Sequence, residues 1–391
     1  MGKWFFFLYS FVIIILYLLA LPFIFLFSFK AKYKEALPSR FFLKNNASFS
    51  SAGVWFHVCS FGEARAIKPL VEIVPKEHLR MSTITQTGYD MIGSYTQERA
   101  YLPFEPLLFG WVVSQKVLVV MEAELWYLLF VLAQKRGAKT LLVNARISDK
   151  SYVKYMRMRW FYRHIFKHID EVYAQTERDR VRLKSLGAHR VRVTGNIKLS
   201  DIASVSKKLV KPSSVVVCAA STHEGEEQLV LDSFEIFKKK NNEAKLVMVP
   251  RHPERFEKVA KLIESFSDKN GVSWHAYSQK RDFKSDVILV DMLGELVNIY
   301  AISDIVILGG AFVPVGGHNA AEAAQFGCKM ISGKYYFNQK DIFDAIEGMV
   351  IIEASNLTRT LLQHDKLRPT QIKNKTDISP IIASIKDAII A

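Results

Sequence analysis

The sequence is short of everything that marks a secreted, disulfide-stapled protein. It has three cysteines, Cys59, Cys218 and Cys328, an odd number with no CxxC pair, so neither a disulfide framework nor a zinc ribbon is supported. A reducing compartment fits. Only 19 of the 391 residues are Gly and 12 are Pro, and no stretch has the polar low-complexity bias of disorder or collagen. Acidic residues are in deficit, 38 Asp plus Glu against 53 Lys plus Arg, and the net charge of +15 suits anionic surfaces or substrates. The length is too great for one small module and fits two domains of about 100–200 residues each.

Charge is missing altogether between Trp4 and Phe29, a run of mostly Phe, Leu, Ile, Val and Tyr. It is long enough to cross a hydrocarbon core of ~30 Å at 1.5 Å per residue. A cleaved signal peptide has an apolar region of only about 7–15 residues and a small-x-small cleavage site, and neither is clear here. Lys30, Lys32, Lys34 and Arg40 follow the run while Lys3 alone precedes it. The positive-inside bias therefore predicts an anchor over residues 1–30 with the remaining chain in the cytoplasm. An interfacial helix lying flat is the alternative.

From about residue 53 short apolar runs alternate with helical periods: GVWFHV, MSTIT, KVLVVME, KTLLVNA, EVYAQ and VRVTG. The polar stretch LSDIASVSKKLVKPSS interrupts them and reads as a linker. The alternation resumes with VVVCAAS, KLVMVPR, DVILVD, DIVILGG and KMISG. Strands alternating with helices imply parallel sheets of βαβ units. The fold class expected is α/β, two doubly wound Rossmann-like domains at 31–200 and 201–391, with ligands bound outside the carboxyl ends of the strands.

Chemistry concentrates at several of those ends. In HVCSFGEARA a strand ends at His57, and Ser60 can cap a helix whose first turn holds Glu63, a candidate general base. In VVMEAELW, Glu122 and Glu124 follow an apolar strand, and in VTGNIKLSD Lys198 follows another. Two carboxylates and an ammonium at one rim suffice for group transfer with an anionic leaving group. In the second half, VPRHPERF puts Arg251 at a strand end, where a guanidinium can fork onto phosphate. In LGGAFVPVGGHNAAEAA, Gly309, Gly310, Gly316 and Gly317 lead through His318 and Asn319 into a helix holding Glu322, the pattern of a backbone anion site. His57, His223, His252 and His318 lack i, i+4 ligand spacing, so no metal is expected. Between Lys150 and Arg192 twelve Lys or Arg face four Asp or Glu, interleaved with Tyr152, Tyr155, Trp160, Phe161 and Tyr162. Basic and aromatic residues on one helix suit an anionic membrane surface, and no nucleic-acid module is recognisable.

HVCSFGE, TITQTG, YLPFE, VVMEAELW, LLVNARISDKS, VTGNIK, AASTHEGEE, VPRHPERF, DMLGEL, GGAFVPVGGHNAAEAA and FNQKDI resemble, in order and spacing, the motifs of bacterial 3-deoxy-D-manno-oct-2-ulosonic acid (Kdo) transferases. The resemblance runs from about residue 30 to about residue 350. It implies the GT-B glycosyltransferase fold, CMP-Kdo as donor, the lipid A precursor (lipid IVA) as acceptor, no cofactor, and the inner membrane surface with its anionic lipids as the place of work. It implies Glu63 as proton acceptor, with Glu122 and Lys198 supporting the transition state. It implies CMP contacts at Pro250 and Arg251, at Leu293, Gly294 and Glu295, and at Asn319, Ala320, Ala321 and Glu322. The sequence departs from the family pattern where Met-Gly-Glu reads Leu293-Gly294-Glu295, where Asn-Pro-Leu-Glu reads Asn319-Ala320-Ala321-Glu322, and where Glu-Leu-Trp-Pro-Asn ends in Tyr127-Leu128. The catalytic positions are intact. Other readings are a membrane-associated GT-B transferase using a UDP-sugar, a non-catalytic nucleotide-sugar binding module, and a metal-dependent hydrolase.

Overall fold

The structure, a computed structural model, describes residues 2–30, 33–200, 202–373 and 376–390. The chain divides into two compact units, Met1–Asp201 with Lys375–Ala391, and Ile202–Asn374. The expected boundary near 200 is thus observed, but the end of the chain belongs to the first unit, not to the 201–391 domain expected from sequence. The reason is packing. Helix Ser379–Ile390 buries Ile381 and Ile385 in the first unit's core, and Ser384 Oγ donates to Glu171 Oε2 at 2.8 Å.

The first unit is built on seven strands: β1 (Val54–His57), β2 (Leu79–Thr83), β3 (Arg99–Tyr101), β4 (Val117–Met121), β5 (Lys139–Ala145), β6 (Glu171–Ala174) and β7 (Val191–Val193). All neighbours are parallel, in the order β3-β2-β1-β4-β5-β6-β7. Their near-continuous apolar runs follow from burial on both faces. Trp55, Leu118, Val120 and Leu142 enter one core with helix Tyr127–Lys135; Val54, Phe56, Val119 and Leu141 enter the other with Ile67, Leu70 and Ile381. The order reverses between β1 and β4, the switch point where open α/β sheets bind ligands. HVCSFGE and VVMEAELW follow those two strands.

The second unit repeats the plan with β8 (Val216–Thr222), β9 (Lys245–Pro250), β10 (Trp274–Ala276), β11 (Val287–Leu289), β12 (Ile305–Leu308), β13 (Lys329–Ser332) and β15 (Val350–Ile351); β14 (Ile346–Glu347) pairs antiparallel with β16 (Gln371–Ile372). The sheet runs β10-β11-β9-β8-β12-β13-β15, again parallel. Its order reverses between β8 and β12, whose ends open into STHEGEE and the Gly309–Gly310 loop. Two doubly wound parallel units in one chain are the composition of the GT-B fold class.

Helix Gly2–Phe27 is long and apolar enough to cross a membrane, with only 6% of its most apolar window buried. One side of it touches the first unit along its length. Phe5 stacks on His164 with centroids 3.9 Å apart and meets Tyr127 edge-on at 5.1 Å. Tyr9 donates to Glu105 and Tyr17 to the carbonyl of Phe41. Near the other end Phe25 lies 6.4 Å from Phe42. The opposite side presents Trp4, Phe7, Phe11, Leu18 and Phe23, each more than half exposed. Of the cations that suggested a cytoplasmic flank, Arg40 is pinned inside the protein, its Nε donating to the carbonyl of Leu102 at 3.0 Å. Lys32 lies outside the described residues. The aromatic part of the basic stretch forms two helices, Asp149–Arg157 and Arg159–Phe166, rather than the single one expected, with the break at Met158, and the rest of it is β6, helix Glu177–Ser185 and the start of β7.

Candidate active site

In the first unit β1 carries the chain to His57, and Ser60 then caps helix Phe61–Ala66, its Oγ accepting from the Glu63 N–H at 3.3 Å. The Glu63 carboxylate folds back onto the same turn: Oε2 accepts from the backbone N–H of Cys59 at 2.8 Å and Oε1 from the Ser60 hydroxyl at 3.2 Å. Burial raises its pKa to about 7, and the charges of Glu122 and Glu124 push the same way against those two hydrogen bonds. A carboxyl poised near neutrality is what a general base requires.

Glu122 follows β4 with φ +60°, a left-handed conformation that is costly for a side chain with a Cβ and that clusters at functional sites. Its N–H donates to the carbonyl of Val143 at 2.9 Å, and Oε1 lies 3.2 Å from Lys198 Nζ. Asn144, also left-handed at φ +53°, anchors the lysine turn by accepting from the Ile197 N–H at 3.0 Å. The three residues expected to act together are therefore in one place. Asn144 was not among them. An Asn at the end of an otherwise apolar strand, NARIS after KTLLV, was the available signal.

In the second unit Glu226, 1% exposed, holds the switch point closed. Oε2 accepts from the N–H groups of His223 at 2.9 Å and Gly310 at 2.8 Å, and Oε1 from Phe312 at 3.0 Å. A Cβ on Gly309 would lie 2.5 Å from the carbonyl of Ser221, so only glycine permits this approach. The rings of His223 and His318 lie parallel with Nε2 to Nε2 at 2.8 Å, one donating and one accepting. Burial first, then the neighbouring His223 and Arg251, bring His318 down to about 4. Arg251 follows β9, its N–H donating to the carbonyl of Thr222 at 3.1 Å and its side chain exposed. Buried Glu227 pairs with Arg255 at 3.0 Å and ties STHEGEE to PRHPERF. Sequence reasoning gave neither Glu226 nor Glu227 a role.

The remaining donor-site candidates are more varied. Pro250 closes β9. Leu293 is 69% exposed and Gly294 is left-handed, whereas Glu295 is bound to Lys207 at 2.7 Å and accepts from Asn298 at 3.1 Å. Asn319 Oδ1 accepts from the Ala321 N–H at 3.1 Å and its Nδ2 donates to Glu322 at 3.1 Å. Ala320 and Ala321 are fully buried, so only their backbone can meet a ligand. The helix expected here is a single turn, Ala321–Ala324, and its first N–H is taken by Asn319. It offers little dipole, and charge for an anion has to come from side chains.

The sequence profile of the family described as 3-deoxy-D-manno-octulosonic-acid transferase (kdotransferase) matches residues 35–201. Beyond that region, the 3-deoxy-D-manno-octulosonic acid transferase of Haemophilus influenzae is 33% identical over 354 residues, 84% of this chain and 82% of that protein. The chain belongs to the Kdo transferase family. It is accordingly a glycosyltransferase. The Kdo transferase of Aquifex aeolicus is 28% identical over 79% of this chain and 83% of its own length. Among solved structures, the C-terminal CMP-Kdo binding domain of WaaA from Acinetobacter baumannii is 25% identical over 46% of this chain and 90% of that domain, with a TM-score of 0.34.

Proposed function

We propose that this Kdo transferase moves Kdo from CMP-Kdo to a hydroxyl of the lipid A precursor, lipid IVA, with inversion. Glu63 takes the hydroxyl proton as the oxygen attacks the anomeric carbon. The bond from that carbon to the CMP phosphate oxygen breaks, and CMP departs with its electron pair. The observation behind this reading is the Glu63 carboxylate, fixed by the Cys59 N–H and the Ser60 hydroxyl and raised to about 7 by burial. A base with that affinity is half ionised at neutral pH and still strong enough to accept an alcohol proton during attack.

Glu122 and Lys198 support the transition state, the lysine offsetting charge that builds beside two carboxylates. The first unit takes the acceptor and the second CMP-Kdo, through Pro250, Arg251, the Leu293–Glu295 turn and the Asn319–Glu322 turn. Because the donor is already an activated phosphate ester, orientation, a base and cations for the leaving group are enough, and no metal takes part.

The apolar helix holds the body at the cytoplasmic face of the inner membrane. Trp160, 58% exposed, meets the helix through Phe5 with ring centroids 6.0 Å apart, and the neighbouring Arg157, Arg159 and Arg163 suit anionic head groups.

Incubation of the purified full-length chain with CMP-Kdo and lipid IVA, with products weighed by mass spectrometry, tests the reading. A product heavier by one or more Kdo residues is expected. No product with CMP-Kdo, or transfer from a UDP-sugar instead, overturns it.

A further inference from the structure

At the end of β1, beside Glu63, the structure gathers three side chains that sequence spacing did not connect. One donor atom each of His57, Cys59 and Glu124 lies within 4.8 Å of the other two. His57 is completely buried, and its Nε2 has no hydrogen-bond partner. The other ring nitrogen, Nδ1, lies 2.9 Å from Ser82 Oγ, which also accepts from Trp55 Nε1 at 2.7 Å. A hydroxyl has two lone pairs, so Ser82 can accept from both rings and leave Nε2 with its own lone pair bare. That is how an outer hydrogen bond orients a ligating imidazole. Cys59 is 8% exposed, and Glu124 is itself oriented by Trp126 Nε1 at 2.7 Å.

We propose that His57, Cys59 and Glu124 form a binding site for a thiophilic divalent metal of the zinc class, and that its occupancy inhibits the enzyme. The donor set is imidazole, thiolate and carboxylate, three protein ligands with a fourth position left for water. A neutral imidazole and two anions also balance a +2 ion. Glu63 lies close enough to add negative potential at Cys59, and Arg40 opposes it. On binding, sulfur–metal, nitrogen–metal and oxygen–metal bonds replace bonds from the ion to its coordinated waters, which leave to solvent, and the thiol proton passes to buffer.

The inhibitory half follows from one contact. The Cys59 N–H clamps the Glu63 carboxylate, so a metal on Cys59 Sγ seats itself against the base. The metal site itself does not depend on the transferase reading; only its effect on turnover does.

The test uses the full-length protein in detergent, freed of metal, with Co2+ as probe and Zn2+ as competitor. One equivalent of Co2+ should give a thiolate-to-metal charge-transfer band, release a proton in weak buffer, and be displaced by Zn2+. Cys59→Ala should abolish the band, and Glu124→Gln should weaken Co2+ binding by about 10-fold or more. Circular dichroism checks that both variants are folded. Zn2+ should also depress Kdo transfer at the concentration that displaces Co2+, and a chelator should restore it. A missing thiolate band, or one that survives in Cys59→Ala, overturns the site. A normal band with turnover indifferent to Zn2+ overturns the inhibition and leaves both the metal site and the transferase reading standing.

Discussion

Lys198 Nζ lies 3.2 Å from Glu122 Oε1, and the charge of Glu122 is felt by Glu63. This gives two substitutions opposite signs. Glu122→Gln removes a negative neighbour, lowers the affinity of Glu63 for its proton and should move the acid limb of the kcat/KM profile to lower pH. Lys198→Ala leaves Glu122 without this cation and should move the limb to higher pH, whatever either does to the maximal rate. Profiles shifted in the same direction would show that the pair does not govern the base.

Glu63→Gln should cut turnover by about 10²-fold or more while CMP-Kdo binding stays nearly unchanged. In the native enzyme the rate should rise with pH through about 7, as Glu63 ionises, and that limb should vanish from the residual activity of the variant. Stability gives a second readout. A carboxyl whose folded pKa is raised binds more protons folded than unfolded between about 4.5 and about 7, so the native chain loses stability as pH climbs through that window. Glu63→Gln should flatten this loss, which denaturant unfolding at pH 5 and pH 8 measures. Near-native turnover in the variant would remove Glu63 from the mechanism.

The long central strands were legible because burial on both faces writes them as apolar runs; GVWFHV and KVLVVME could be little else. Among the strands that escaped, Arg99–Tyr101 and Trp274–Ala276 are three-residue edges with mixed chemistry and no period to read, and Ile346–Glu347, Val350–Ile351 and Gln371–Ile372 are only two residues each. Ser60 and Glu63 were legible for the opposite reason, since a cap and its first turn are local. What sequence could not carry was convergence. Asn144 meets the turn of Lys198 across 53 positions, and Glu226 meets Gly310 across 84. His57 was weighed only with three other histidines for ligand spacing along one helix, and its grouping with Cys59 and Glu124 went unseen because the ends of β1 and β4 supply the three. The return of helix Ser379–Ile390 to the first unit was hidden likewise, because an amphipathic helix fits any core that has room for it.

Arg251 tests the donor site by separating charge from shape. Its guanidinium can give two parallel hydrogen bonds to a phosphate, whereas lysine keeps the charge and loses the fork. CMP affinity should fall in the order native, Arg251→Lys, Arg251→Ala, with the lysine variant weaker by about 1–3 kcal/mol. Calorimetric titration of CMP measures it. Equal affinity for native and alanine proteins would put Arg251 outside the donor site.

The two sides of helix Gly2–Phe27 should answer differently to substitution. On the inner side, Tyr9 is a hydrogen-bond partner of Glu105, a carboxylate 3% exposed that otherwise accepts from the Leu128 N–H at 2.7 Å. Tyr9→Phe removes that donor and leaves buried charge less well satisfied, which should cost about 1–3 kcal/mol of stability. On the outer side, Phe7 and Phe11 are 67% and 64% exposed. Phe7→Ser with Phe11→Ser should leave the melting temperature in detergent almost unchanged while weakening partition into anionic vesicles, because apolar area is lost only from the lipid contact. A helix standing clear of the body in the bilayer would give the reverse for Tyr9, with no loss of stability on removing its hydroxyl. Thermal unfolding and vesicle sedimentation of the two variants, side by side, decide whether the helix lies along the first unit or leaves it.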